Sequence, residues 1–155
     1  MRLRRLTAAD VPDVRPWFED ERTRRFLGGP RWPELALKRS EAPAREFRGR
    51  RVLSKHVWLG VEMDRPIGLV AVECYTDRSA ELSVVVDPAR RGRGLCRRIV
   101  QATLELAEME EVDEVRAMVQ PENVASLRCF EGAGFVQLSR EPDDENSVTL
   151  IYCRR

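Results

Sequence analysis

"ELSVVVDPARRGRGLCRRIV", residues 81–100, decides how this chain is read. A run of branched apolar residues, Leu82 to Val86, ends at Asp87-Pro88. Proline has no N–H to donate, so the strand stops there. Four arginines and two glycines then fall within the eight positions 90–97. Beyond them Leu95, Ile99, Ala102, Leu106 and Met109 recur at helical spacing, which predicts a helix over 91–110. A strand that empties through glycines into a helix suits an anion. Backbone N–H groups gather at the helix start, glycine lets the chain come close, and arginine adds charge.

Two phosphate-binding patterns fail on the residues. The loop of the nucleoside-triphosphatases ends in GK[ST], whereas Gly94 leads here to "LCRR". A GxGxxG dinucleotide fingerprint would place its third glycine at position 97, which is Arg97. That fingerprint also belongs to a parallel βαβ unit, and this strand follows two hairpin-like turns. Standing alone, the stretch would be a strand-to-helix turn with solvated arginines.

The flanks show that it does not stand alone. "HVWLGVEM" (56–63) and "IGLVAVECY" (67–75) form a hairpin across "DRP", and "TDRS" turns into "AELSVVVD" (80–87). Upstream, "RLRRLT" (2–7) alternates as a strand, and Thr7 or Asp10 caps a helix through Trp17 and Phe18. "GGPRWP" (28–33) breaks the chain, and the polar segment to Arg51 reads as one or two short helices. Downstream, "EVRAMV" (114–119) is a strand, and "ENVASLRCFEGA" (122–133) is a helix closed by Gly134. "FVQLSR" and "SVTLIYC" pair across the turn "EPDDEN". The order is β-α-α-β-β-β-α-β-α-β-β, in one domain over residues 1–155.

Composition narrows the classes. At 155 residues a single domain has core enough without staples. Lysine plus arginine is 27 against 26 acidic residues, a balance that argues against nucleic-acid binding. Only Lys38 and Lys55 are lysines, so the other basic residues are arginines, a compositional bias. Cys74, Cys96, Cys129 and Cys153 are far apart in sequence and His56 is the one histidine, which excludes a Cys/His metal site and a disulfide framework. No long apolar run or leader is present, so no membrane is implied and a reducing cytoplasm is the expected compartment.

"VVVDPARRGRGLCRRIV" resembles the acetyl-CoA loop of the GNAT N-acetyltransferases, [RQ]-x-x-G-x-[GA] after a strand ending V-x-P. Arg91 opens the motif, Gly92 and Arg93 fill it, Gly94 is its middle glycine and Cys96 holds the last small position. "NVASLRCFEGAGF" resembles the second signature of the family through Asn123, Ser126, Gly134 and Phe135, and "DRPIGLVAV" is similar to its D-G-x-x-[IV]-G hairpin. The resemblance implies an α/β (α+β) fold: a central mixed, mostly antiparallel sheet of six to seven strands flanked by about four helices. It implies acetyl transfer from acetyl-CoA, a cosubstrate, to an amine acceptor, with no metal, and leaves monomer and homodimer open. CoA would lie on Val84, Val85 and Val86, where the strand splays at a bulge, and on Arg91, Gly92, Arg93, Gly94, Cys96, Arg97, Asn123, Ser126 and Phe130.

Acetyl transfer needs a base. An alkyl ammonium with pKa ~10.4 lies about three units above neutral, roughly 4 kcal/mol to overcome. A carboxylate assists. Glu81, at the start of the strand that feeds the loop, is the favoured catalytic residue, and Glu73 on the neighbouring strand is second. Many relatives carry a tyrosine acid at the position of Phe130, which has no proton to give. That departure keeps a rival open: a catalytically silent acyl-CoA-binding or sensor domain on the same fold. Glu19, Asp20 and Glu21 either attract a cationic amine or form a charged helix face.

Overall fold

The turn at 87–94 lies at the middle of a sheet. In a computed structural model of the protein, which describes residues 1–43, 46–47 and 49–154, the strands are β1 (Arg2–Arg5), β2 (Glu46–Phe47), β3 (Arg50–Glu62), β4 (Arg65–Tyr75), β5 (Ser79–Val86), β6 (Glu114–Val119), β7 (Val136–Gln137) and β8 (Val148–Cys153). The α-helices among the described residues are α1 (Val11–Val14), α2 (Glu21–Phe26), α3 (Trp32–Ser40), α4 (Leu95–Leu104) and α5 (Val124–Gly132). Strand order is β1-β3-β4-β5-β6-β8-β7, with β2 added to β3. Among the described residues only β5 and β6 run parallel, so the sheet is mixed and mostly antiparallel.

Four elements differ from expectation. The N-terminal helix is broken into α1 and two 3₁₀ turns, at Ala8–Asp10 and Arg15–Phe18. Pro12 and Pro16 remove N–H donors from it. Strand β3 begins at Arg50 rather than His56, while the polar segment holds, among its described residues, one short helix, Trp32–Ser40, as expected. Residues 44, 45 and 48 of that segment lie outside the described residues. Helix α4 is shorter than 91–110, because Gly92 and Gly94 hold left-handed φ of +76° and +72° before it and Leu106 is extended after it. A 3₁₀ turn at Ala107–Met109 then buries Met109. The "FVQLSR" strand pairs only over Val136–Gln137.

Alternation along the strands builds two cores. Val70 and Val72 of β4 face α4 and α5, with Ile99, Val115 and Phe130. Leu69 of β4, with Val57 and Leu59 of β3 and Val85 of β5, faces α1–α3 through Val14, Phe18 and Ala36. The second face therefore also receives Lys55, Glu73 and Glu81, since residues two apart share a side.

Helix α4 comes so close to β4 that Gly68 has no room for a side chain. A Cβ there would collide with Ile99 Cδ1 and lie 2.8 Å from the Val85 carbonyl oxygen. Gly68→Ala is expected to cost about 1–3 kcal/mol by overpacking. Urea unfolding checks this, and an unchanged midpoint would contradict the close approach.

At the other end of the sheet, Arg4 donates to Asp10 at 2.8 and 2.7 Å, and the Thr7 N–H donates to Asp10 at 2.8 Å. The Arg4 guanidinium holds the Asp10 carboxyl at about 2, below its ordinary value. The resulting stabilisation, about 2 kcal/mol, is present above the unfolded pKa of ~3.9 and is lost as pH falls through the folded one. Acid titration of Asp10→Asn is expected to show a shallower loss of stability below pH ~4 than wild type.

Candidate active site

Strands β5 and β6 pair only through Ser79↔Glu114, Ala80↔Val115 and Glu81↔Arg116. Past Glu81 they diverge, β5 into the loop and α4, β6 into α5. The β4–β5 register runs unbroken from Cys74↔Ala80 to Gly68↔Val86. One edge of Leu82–Val86 is thus without a strand neighbour, and its backbone groups face a cavity of about 550 Å³. The expected bulge in β5 is absent. Register shifts fall in the β3–β4 pair, at Val52/Ser54 and Gly60/Val61. Divergence into two separate helices opens the gap instead.

The loop closes one end of this cavity. Asp87 Oδ1 accepts the Ala89 N–H at 3.0 Å and turns the chain after β5. At Gly92 and Gly94 a Cβ would meet nothing within 4 Å, so the left-handed turn leaves an open concavity before α4. The first N–H groups of α4 have no partner within the helix, and Leu95, Cys96 and Arg97 line the same cavity.

Val84, Val85, Val86, Arg91, Gly92, Gly94, Cys96, Arg97, Asn123, Ser126 and Phe130 all line the cavity. Arg93 does not, and its side chain is exposed. Arg91 is already committed: its Nη2 donates to Asp20 at 2.7 Å and to Thr23 Oγ1 at 2.9 Å. Asp20 also accepts the Thr23 N–H at 3.0 Å as the cap of α2. Hydrogen bonding to Arg91 holds the Asp20 carboxyl below its ordinary pKa. Arg91 therefore fastens α2 over the loop, and Asp20 is not free to attract an amine. Arg22 and Arg128 also line the cavity, and nothing in their local sequence signals it. Asn123 Oδ1 caps α5 by accepting the Ser126 N–H at 3.3 Å. Phe130 is 3% exposed and packs edge-on to Phe135, with centroids 5.1 Å apart, so it is an apolar wall.

The cysteine expectation is overturned. Cys96 and Cys129, 33 residues apart, form a disulfide, with Cα atoms 6.0 Å apart. The bridge ties the first turn of α4 to α5 on the cavity wall, so Cys96 turns its sulfur toward α5. Cys74 and Cys153 are free. Sequence distance concealed the pairing, because only the packing of α4 on α5 brings the two together. Closing a loop of that size is worth about 3–4 kcal/mol in the chain-entropy account. Cys96→Ser/Cys129→Ser is expected to lose that much in a denaturant titration, and wild type should lose the same on reduction.

A smaller cavity of about 250 Å³ lies on the other face, between α3 and strands β3–β6. Leu82, Ser83 and Met118 line both cavities, so the two meet at the divergence of β5 and β6. Glu81 and Glu73 line the smaller one, as directly opposed residues on β5 and β4. Arg50 bonds Glu81 and Ser79, and its guanidinium lies 3.9 Å from the Tyr75 ring centroid. The Tyr75 hydroxyl donates to Glu73 Oε2 at 3.0 Å and Glu81 Oε2 at 3.3 Å. Burial, then the two carboxylates, raises the phenol far above its ordinary pKa, so it remains a donor. Neither Arg50 nor Tyr75 was legible as a site residue. His56 stacks on Trp58 on the opposite face and bonds Arg5 and Ser54.

The sheet thus splits between two helices, with a glycine loop at one mouth and paired carboxylates at the other. The family model described as "Acetyltransferase (GNAT) domain" matches residues 1–136, and the chain belongs to that family. It is an N-acetyltransferase whose acetyl donor is acetyl-CoA. The uncharacterized N-acetyltransferase YfmK of Bacillus subtilis is 31% identical over 137 residues, covering 87% of this chain and 84% of that one. N-alpha-acetyltransferase 30 of Saccharomyces cerevisiae is 28% identical over 80 residues, covering 48% and 46%. Among solved structures, aminoglycoside acetyltransferase AAC(6')-Ib with coenzyme A superposes with a TM-score of 0.76 at 16% identity, covering 99% of this chain and 94% of that one. Spermidine N-acetyltransferase from Vibrio cholerae with CoA and spermine gives 0.72 at 18%, covering 96% and 91%.

Proposed function

We propose that acetyl-CoA binds in the larger cavity and the amine in the smaller one, with transfer where they meet. The observation that carries this reading is the wall they share, Leu82, Ser83 and Met118. The concave loop and the first N–H groups of α4 suit the pyrophosphate of the donor. The unpaired edge of Leu82–Val86 suits the amides of its arm, and one N–H there would polarise the thioester carbonyl, worth roughly 3 kcal/mol. Glu81 serves as base for the ammonium, with Tyr75 and Arg50 fixing its two oxygens. Glu73 is the second candidate.

Phe130 offers no acid for the departing thiolate. With a thiol pKa of ~8.5, an acid there contributes about 2 kcal/mol at most, against roughly 4 for deprotonating the amine. The absent hydroxyl therefore does not preclude turnover. It is nonetheless the feature that favours the rival reading, an acyl-CoA binder without turnover. Thiol release from acetyl-CoA across a panel of primary amines separates the two. Turnover with any amine supports the transferase, and acetyl-CoA binding with no turnover supports the binder. The donor makes a cytoplasmic setting part of this proposal. Finding the Cys96–Cys129 bridge intact in protein taken from a reducing cytoplasm would show that it survives there.

A further inference from the structure

The charges around the smaller cavity identify the kind of amine it takes, an inference that rests on the acceptor reading just given. Cross-strand register places Lys55, Glu73, Glu81 and Arg116 in one row across β3–β6. Each carboxylate of the row has its own cation. Lys55 Nζ is 3.6 Å from Glu73 Oε1, and Arg50 bonds Glu81. Arg116 is held by Glu114. Arg39, on α3, lines the same cavity, is exposed, and has no ion-pair partner among the described residues. Two cations (Arg39, Lys55) and two carboxylates (Glu73, Glu81) line the cavity, a balance that matches a ligand carrying one charge of each sign. A cavity built for a polyamine or an aminoglycoside would carry an excess of carboxylates.

Lys55 adds an independent observation. Its side chain is 8% exposed, yet its contact to Glu73, at 3.6 Å, is too long for a hydrogen bond. An ammonium carries three donors, and leaving them unmade in a buried setting is costly. Lys55 lines the cavity, which is where a ligand could satisfy these donors.

We infer that the acceptor is a small amine that also bears a carboxylate, of free amino-acid size. Its carboxylate is received by Lys55 and Arg39, and its amine by the Glu73–Glu81 pair. A cavity of about 250 Å³ is below the usual drug-sized range, which sets the scale of the ligand.

The test is thiol release by the full chain with acetyl-CoA. The amines are free amino acids, the same amino acids as carboxamides, an aminoalkyl phosphate, spermidine and kanamycin. At least one free amino acid is expected to exceed its own amide about tenfold or more in kcat/KM, mainly through KM. Arg39→Ala and Lys55→Gln are each expected to raise that KM about tenfold and to bring acid and amide together. Acetyl-CoA affinity by calorimetry should not change in either variant. Arg39 is exposed, so its variant reads the inference even where Lys55→Gln perturbs folding. Higher kcat/KM for spermidine or kanamycin than for every carboxylate-bearing amine overturns the inference and leaves the transferase standing. Preference for the aminoalkyl phosphate overturns the carboxylate in favour of phosphate. Acetyl-CoA binding with no amine acetylated overturns the transferase reading itself, and this inference with it.

Discussion

Replacing Gly94 by valine is expected to weaken acetyl-CoA binding about a hundredfold. Two effects add. Gly94 sits at φ +72°, where a β-branched residue is strained by roughly 1–2 kcal/mol. The new side chain would also stand at the mouth of α4, over the N–H groups proposed to hold the pyrophosphate, where a charge-assisted hydrogen bond is worth about 1.5–3 kcal/mol. Together they amount to roughly 2.5–5 kcal/mol, a range that contains the roughly 2.7 kcal/mol that a hundredfold requires. A Cβ at this position meets nothing within 4 Å, so the loss falls on the ligand more than on the core. Calorimetry with acetyl-CoA, paired with urea unfolding, separates the two. Wild-type affinity in Gly94→Val would remove the loop as the donor site.

Glu81→Gln is expected to lower turnover by about 10²–10⁴ near neutral pH. The deficit should narrow as pH rises toward the amine pKa of ~10.4, because the free amine then forms without help. The substitution also leaves Arg50 facing a neutral amide in a setting where its side chain is 18% exposed and that of Glu81 is 13% exposed. Removing one partner of a buried pair costs about 3–5 kcal/mol, and partial exposure here places the expected loss at or below the lower end. Kinetics should therefore be read on protein shown to be folded and to bind acetyl-CoA. A pH–rate profile parallel to wild type would remove Glu81 as base. Glu73→Gln in the same assay would show whether the role belongs to its neighbour.

What the sequence determined by itself is everything that depends on neighbours a few residues apart. Asp87-Pro88 ends β5, Gly92 and Gly94 turn the loop, Asn123 caps α5, and Gly134 closes it at φ +98°. Each is a backbone requirement met within one turn of chain, so the loop, the signature helix and the family were legible. Tertiary structure alone decided which charges meet. Glu81 is 31 residues from Arg50, Cys96 is 33 from Cys129, and Asp20 is 71 from Arg91. Period-two alternation assigns a side chain to one of two faces, but only strand register says what stands opposite. Register aligned Lys55, Glu73, Glu81 and Arg116 into a row, and the divergence of β5 from β6 placed that row beside the larger cavity. The proposed acceptor side of the site is thus a product of long-range pairing, whereas the glycine loop of the proposed donor side is written in consecutive residues.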